Sequence, residues 1–318
     1  MNSDIEADLI RDIKILSERA WERRVDVPAI EAWLGNFTGI AFDPEVERLH
    51  ALHLLRHFVY FGSREMRVLL EALYRDVFKY PIVQDIRASL QGTSDAADVS
   101  VAYDRELGNT RFVAMGNPSE SGSHLMYYFR QVNRLPKDLF VSVHQLVNGP
   151  MTSRRSRFTP PSLERIVFLD DLLGSGQQVT AYSKTMLRDL RKIETRRKHK
   201  IHISYLTLFA KSGGLDVARR SAFDDVRALH ELDDSQMAFS RQSRVYHRCG
   251  PHTNMQDAQI LATAYGSRLL PGDALGYGNG QMLMGFQHNV PDNTLPIFWF
   301  DEAASNWEPI FPRFQKVY

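Results

Sequence analysis

The chain has 318 residues, 43% hydrophobic and 24% charged, with a formal net charge of +1; this is enough for one large core or two smaller ones, without a global field that would draw it to nucleic acid or membrane. A single cysteine, Cys249, excludes an intrachain disulfide, and no apolar run approaches the about 18 residues that a membrane-spanning helix needs. The opening MNSDIEADLIRDIKIL lacks the basic and apolar regions of a secretion signal, so a reducing, cytoplasmic setting is expected.

Residues 1–92 read as a helical region. Ser3 and Glu6 fit a capping box, and Ile5, Leu9, Ile13, Leu16 and Ala20 mark one helical face. Residues 46–60 are apolar nearly all round, as in a buried helix. Ser63 can cap a third helix with a stripe of Met66, Leu69, Leu70, Leu73 and Val77, which Pro81 is expected to end. The turn-rich QGTSDAAD (residues 91–98) marks a domain boundary.

Beyond it, residues 110–116, 139–147, 165–170, 202–210 and 225–232 read as strands, and residues 124–131 and 179–193 fall in helices between them. Strands alternating with helices predict an α/β core over 93–275 with a mainly parallel sheet. Residues 276–318, rich in Gly, Asn, Pro and aromatics, are expected to form a C-terminal extension of strands and aromatic residues packed on that core as an elaborated rim, with IFWF (297–300) a short strand and Phe298, Trp299 and Phe300 core or interface.

The most informative stretch is RIVFLDDLLGSGQQV, residues 165–179: an apolar strand, two carboxylates, then a Gly-Ser-Gly turn leading into a helix. It is not a dinucleotide fingerprint, because the third glycine of GxGxxG is absent, and the chain has no Walker A sequence. One bland reading remains open: Asp171 ends a strand and the glycines form an ordinary turn.

The stretch resembles the phosphoribosyl pyrophosphate (PRPP) motif of type I phosphoribosyltransferases. The resemblance implies that Asp170 and Asp171 accept hydrogen bonds from ribose hydroxyls and that Gly174, Ser175, Gly176, Gln177 and Gln178 wrap the 5′-phosphate in backbone N–H groups. It also implies a pyrophosphate loop after the first core strand, here Asn117, Ser119, Glu120 and Ser121, and a flexible basic loop before the motif, here NGPMTSRRSRFTPPS with Arg154, Arg155 and Arg157 as a lid. Two positions depart from the family pattern: Gln178 stands where a hydroxyl usually closes the turn, and Glu120 puts an acid where pyrophosphate would sit.

Over nearly the whole chain, LLRHFVYFGSREMRVLLEALYRDVFKYP, GNPSESGSHLMYYFRQVNRLPKDLF and LGYGNGQMLMGFQHNVPDNTLPIFW resemble the phosphoribosyltransferase-like (PRTase-CE-like) proteins of bacterial conflict and anti-phage gene neighbourhoods, some of them retron-associated. That implies a fold of the type I phosphoribosyltransferase kind, a phosphoribosyl nucleotide or PRPP as ligand, Mg²⁺ as cofactor with no ligating residues assigned, and a defence-system protein or a second copy as partner. Nucleic acid is not expected as a sequence-specific ligand. Three functions stay open: pentosyl transfer or release of ribose 5-phosphate, a non-catalytic nucleotide sensor, and an interaction effector that retains the pocket.

Other clusters carry less. HRCGPH brings His247, Cys249 and His252 together, but zinc usually wants four ligands at other spacings. His124 opens a helix after the serine-rich loop. SRRSR (153–157) and RRKHK (196–200) are local basic runs in a nearly neutral chain.

Overall fold

The computed structural model describes residues 2–92, 95–116, 121–247, 252–301 and 306–313. Its strands are β1 (Val59–Phe61), β2 (Thr110–Ala114), β3 (Val147–Asn148), β4 (Arg157–Phe158), β5 (Arg165–Leu173), β6 (His202–Lys211), β7 (Asp225–Leu232) and β8 (Met284–Phe286). The chain divides into two compact units, one of residues 1–66 with 232–318 and the other of residues 67–231. The expected boundaries at 92 and 275 fall inside these units, not between them.

The first unit joins the two ends of the sequence. Helices Asn2–Arg19, Val27–Leu34 and Pro44–Arg56 share an apolar core with helix Met255–Leu269, and β1 pairs in parallel with β8, Tyr60 opposite Gly285. Aromatics fill the centre: Trp33 stacks on Phe298 at 5.5 Å and Trp21 meets Phe311 edge-on at 5.5 Å. The buried Glu47 carboxylate is fully used. It accepts the amides of Gly39, Ala41 and Phe42 and the Tyr265 hydroxyl; burial pushes its pKa up, but those bonds outweigh it and hold the group below its usual value. The described C-terminal residues thus cluster with the N-terminal helices. IFWF is a helical turn, Pro296–Trp299, not a strand: proline at its start suits the fixed φ of a first helical turn. Phe298, Trp299 and Phe300 are buried core.

The second unit is the α/β core. Its four-stranded sheet has the order β2-β5-β6-β7, and both β2–β5 and β5–β6 are parallel. Helix Ser63–Ala72 runs without a break through a π-helical segment, Leu73–Lys79, into helix Tyr80–Ser89, so Pro81 does not stop it. The Tyr80 amide reaches back to the Arg75 carbonyl, and this wide turn just before Pro81 relieves the clash that a proline ring makes in a regular helix. Sequence periodicity passed over helix Ala96–Gly108, capped by Asp95. The strand expected at 139–147 is mostly two 3₁₀ turns. A capping box between Ser142 and Gln145 gives that backbone a local alternative to a sheet ladder.

Between β5 and β6 a helical run spans Gln177–Tyr182, a π segment Ser183–Leu187 and Arg188–Glu194. Along this run Leu187 is fully buried with Val179, Leu190 and Ile193. The start of β6 is fastened by Asp224. Its carboxylate accepts the Ile203 amide at 2.8 Å and Arg191 Nη2 at 2.6 Å, and pairs with Lys200. Burial pushes this carboxyl up, but the Ile203, Lys200 and Arg191 hydrogen bonds prevail and lower it to about 2. Because the folded pKa lies below the unfolded value of about 3.9, the contribution is complete above that value and is lost as pH falls toward 2. Thermal melts should show Asp224→Asn less stable than the unsubstituted protein at pH 7, with the gap closing as pH approaches 2.

Candidate functional site

The parallel strands β2, β5 and β6 end at one edge of the sheet, and of the residues singled out in the sequence Asp170, Asp171 and the 174–178 turn lie there. β5 runs on three residues past Asp170, to Leu173, before turning. Successive side chains on an extended strand face opposite ways. Asp170 therefore shares a face with Phe168 and Tyr205, and Asp171 lies on the other, with Leu169 and with Phe112 of β2. The two carboxylates do not form a single pair on one face.

Their surroundings differ. Asp170 is buried; its Oδ2 accepts the Tyr205 hydroxyl at 2.6 Å and its Oδ1 accepts the Asp171 amide at 3.0 Å. Tyr205 is fully buried, and burial together with the adjacent Asp170 charge raises its pKa well above the usual value, so it stays a neutral donor. Asp171 is half-buried, on the face against which helix Ser121–Val132 packs. Tyr205 was not legible as a site residue, because in sequence it is one aromatic in an apolar strand. Its register opposite Phe168, one pleat before Asp170, makes the connection.

The turn Gly174-Ser175-Gly176 leaves β5 and enters the helical run at Gln177. Gly176 sits at φ +79°, a left-handed conformation that glycine adopts without the cost a side chain brings. Gln177 and Gln178 are exposed in the first turn of that helix. The glycines also serve packing. A Cβ on Gly176 would lie 2.8 Å from Val217 Cγ1, and one on Gly214 would lie 2.2 Å from the Gly174 carbonyl oxygen. A second glycine-bearing turn thus abuts the first: Lys211 ends β6, and helix Ser212–Arg219 begins beside Gly174. The sequence carries that signal as KSGGL directly after a strand.

β2 reaches the same edge, where the Met115 amide donates to the Leu169 carbonyl. Of the expected pyrophosphate loop, Asn117, Ser119 and Glu120 lie outside the described residues. Ser121 opens helix Ser121–Val132, its side chain likewise outside the description, and His124 is exposed on that helix. Of HRCGPH, residues 248–251, with Cys249, also lie outside the described residues, and among those that are described no three His, Cys, Asp or Glu side chains form a metal-binding group.

Arg154, Arg155 and Arg157 do not form a lid over this edge. Their segment is the tip of a small antiparallel hairpin, β3–β4, and it is fastened elsewhere. Arg196 Nη1 donates to the Ser153 carbonyl at 3.0 Å and Arg197 Nη2 to the Pro161 carbonyl at 3.0 Å. Both arginines lie just past Glu194, at the opposite end of the helical run that begins at Gln177. The loop is expected from its composition to be a flexible lid, but composition says nothing of which sheet edge a connection occupies.

The model of the PRTase-CE family matches residues 30–313 of this chain. Among solved structures, the chain is similar to the crystal structure of orotate phosphoribosyltransferase from Aeropyrum pernix, at 15% identity over 43% of this chain and 72% of that one, with a TM-score of 0.24. No curated protein matches it.

Proposed function

This chain belongs to the PRTase-CE family, and from that premise we propose that it binds PRPP or a related phosphoribosyl nucleotide at the carboxyl edge of its parallel sheet. One observation carries the reading: a carboxylate-bearing strand end, a glycine turn with a left-handed residue and the start of a helical run are consecutive at the edge where open α/β sheets bind ligands. The 174–178 amides take the 5′-phosphate, favoured by the helix dipole. Asp171 accepts the ribose hydroxyls. Asp170, held by Tyr205 and the Asp171 amide, positions that strand end and does not itself touch the sugar.

Mg²⁺ fits this donor set. Hard carboxylate oxygens suit the ion, which typically takes one or two carboxylates, its own waters and the substrate phosphates. Asp171 would hold it, and it would supply charge neutralisation to a departing pyrophosphate. The chain's contribution to pentosyl transfer is then positioning and electrostatic stabilisation of a cationic ribosyl centre by a fixed carboxylate. A bacterial defence setting remains part of the proposal, resting on the sequence resemblance.

The test is calorimetric titration with PRPP and Mg²⁺, ribose 5-phosphate as comparator, followed by phosphorus NMR. At 100-fold saturation PRPP should add about 2.7 kcal/mol of stability. Release of pyrophosphate with ribose 5-phosphate, water taking the ribosyl group, identifies a hydrolase; consumption only when an acceptor base is added identifies a transferase; binding without consumption under either condition identifies a sensor. Absence of both heat and stabilisation sinks the proposal.

A further inference from the structure

The two basic runs of the sequence, separate in the chain and unused by the site above, are joined by the fold. Arg196 and Arg197 bond to carbonyls on either side of the 154–157 tip, and Arg197 also stacks over Phe158 at 5.8 Å. Arg157 donates to the carbonyls of Arg154 and Ser156 at 3.1 and 2.9 Å. Arg154, Arg155, Arg196 and Lys198 are all exposed on these adjoining loops.

Two acids near this face are already engaged. Glu194 is bound by Arg191 and by the Ile201 amide, and Asp224 by Arg191, Lys200 and the Ile203 amide. The four exposed cations are therefore not neutralised by those carboxylates. We propose that this face binds the phosphate backbone of a nucleic-acid duplex without reading its sequence.

The choice of partner follows from what the loops lack. Among the described residues, none of the large exposed apolar side chains lies in 149–161 or 195–200. A membrane-binding surface needs apolar groups to insert beside its cations, and single strands are gripped by stacking bases on aromatic rings. An array of guanidinium and ammonium groups suits the regularly spaced phosphates of a duplex.

Counterion release makes the test quantitative. Fluorescence anisotropy with a labelled random duplex of about 24 bp should give a log–log salt slope of about −3 to −4, near 0.9 per phosphate contact, and about a 100-fold loss of affinity between 50 and 200 mM salt. Combined Arg154→Ser, Arg155→Ser and Lys198→Ser should weaken binding at least ~10-fold and bring the slope to about −1. The slope of the unsubstituted protein stands as a test even if the triple variant fails to fold. A slope shallower than −1, unchanged binding by a folded triple variant, or tighter binding to a single strand or to phosphatidylserine vesicles would each overturn the proposal.

Discussion

Replacing Gly214 by valine is expected to cost about 3 kcal/mol or more, because the overpacking is against backbone and not against the yielding end of a side chain. The new Cβ would meet the Gly174 carbonyl oxygen at 2.2 Å and its carbon at 3.2 Å. At about 2–4 °C per kcal/mol, the melt of the α/β unit should fall by about 6 °C or more. Gly213→Ala is the control. Nothing lies within 4 Å of a Cβ there and its φ is not positive, so the change should stay below about 1 kcal/mol. Equal melts for both variants would mean that the two glycine turns do not pack as described. Gly176→Val should also destabilise, through Val217 and the left-handed φ, so lost affinity in that variant would not by itself report on a phosphate cradle.

Asp171→Asn should weaken PRPP binding by about 10- to 100-fold, the equivalent of about 1.5–3 kcal/mol for a charge-assisted hydrogen bond. Tyr205→Phe should lower the melt. It removes a donor from a buried carboxylate, which costs about 1.5–3 kcal/mol of stability. Melts and titrations on the same samples separate the two roles. If Asp171→Asn leaves affinity unchanged and Asp170→Asn lowers it without affecting the melt, the assignment of ligand and positioning carboxylates is reversed.

The motif was legible because chemistry and periodicity coincide in it. The apolar run 166–169, the aspartates and the glycine turn appear in the structure as strand, strand end and helix start. The facing of the aspartates was not legible: it depends on β5 continuing to Leu173, and Leu172-Leu173 reads equally well as the start of a turn. The basic loop failed for another reason. Gly, Pro, Ser and Arg mark a turn, but the bonds that locate this one come from Arg196 and Arg197, some forty positions later. Local rules also misjudged Pro81 and residues 139–147, where a π segment and a capping box changed the local options. The division into units escaped entirely, since Trp33 finds its acceptor, the Ile297 carbonyl, 264 residues away.

That last contact bears on how the protein is made. Every partner within residues 67–231 has been synthesised before residue 232 appears, so the α/β unit can close while translation continues. The other unit cannot. Trp21, Trp33 and Phe58 leave the ribosome early, yet Ile297, Phe298 and Phe311, against which they pack, follow only after the whole of residues 67–231. At 5–20 residues per second the delay is on the order of ten to fifty seconds. During it the early helices carry uncovered aromatic faces, which makes the nascent chain a natural client for a holdase and leaves its final assembly to a slow, long-range closure.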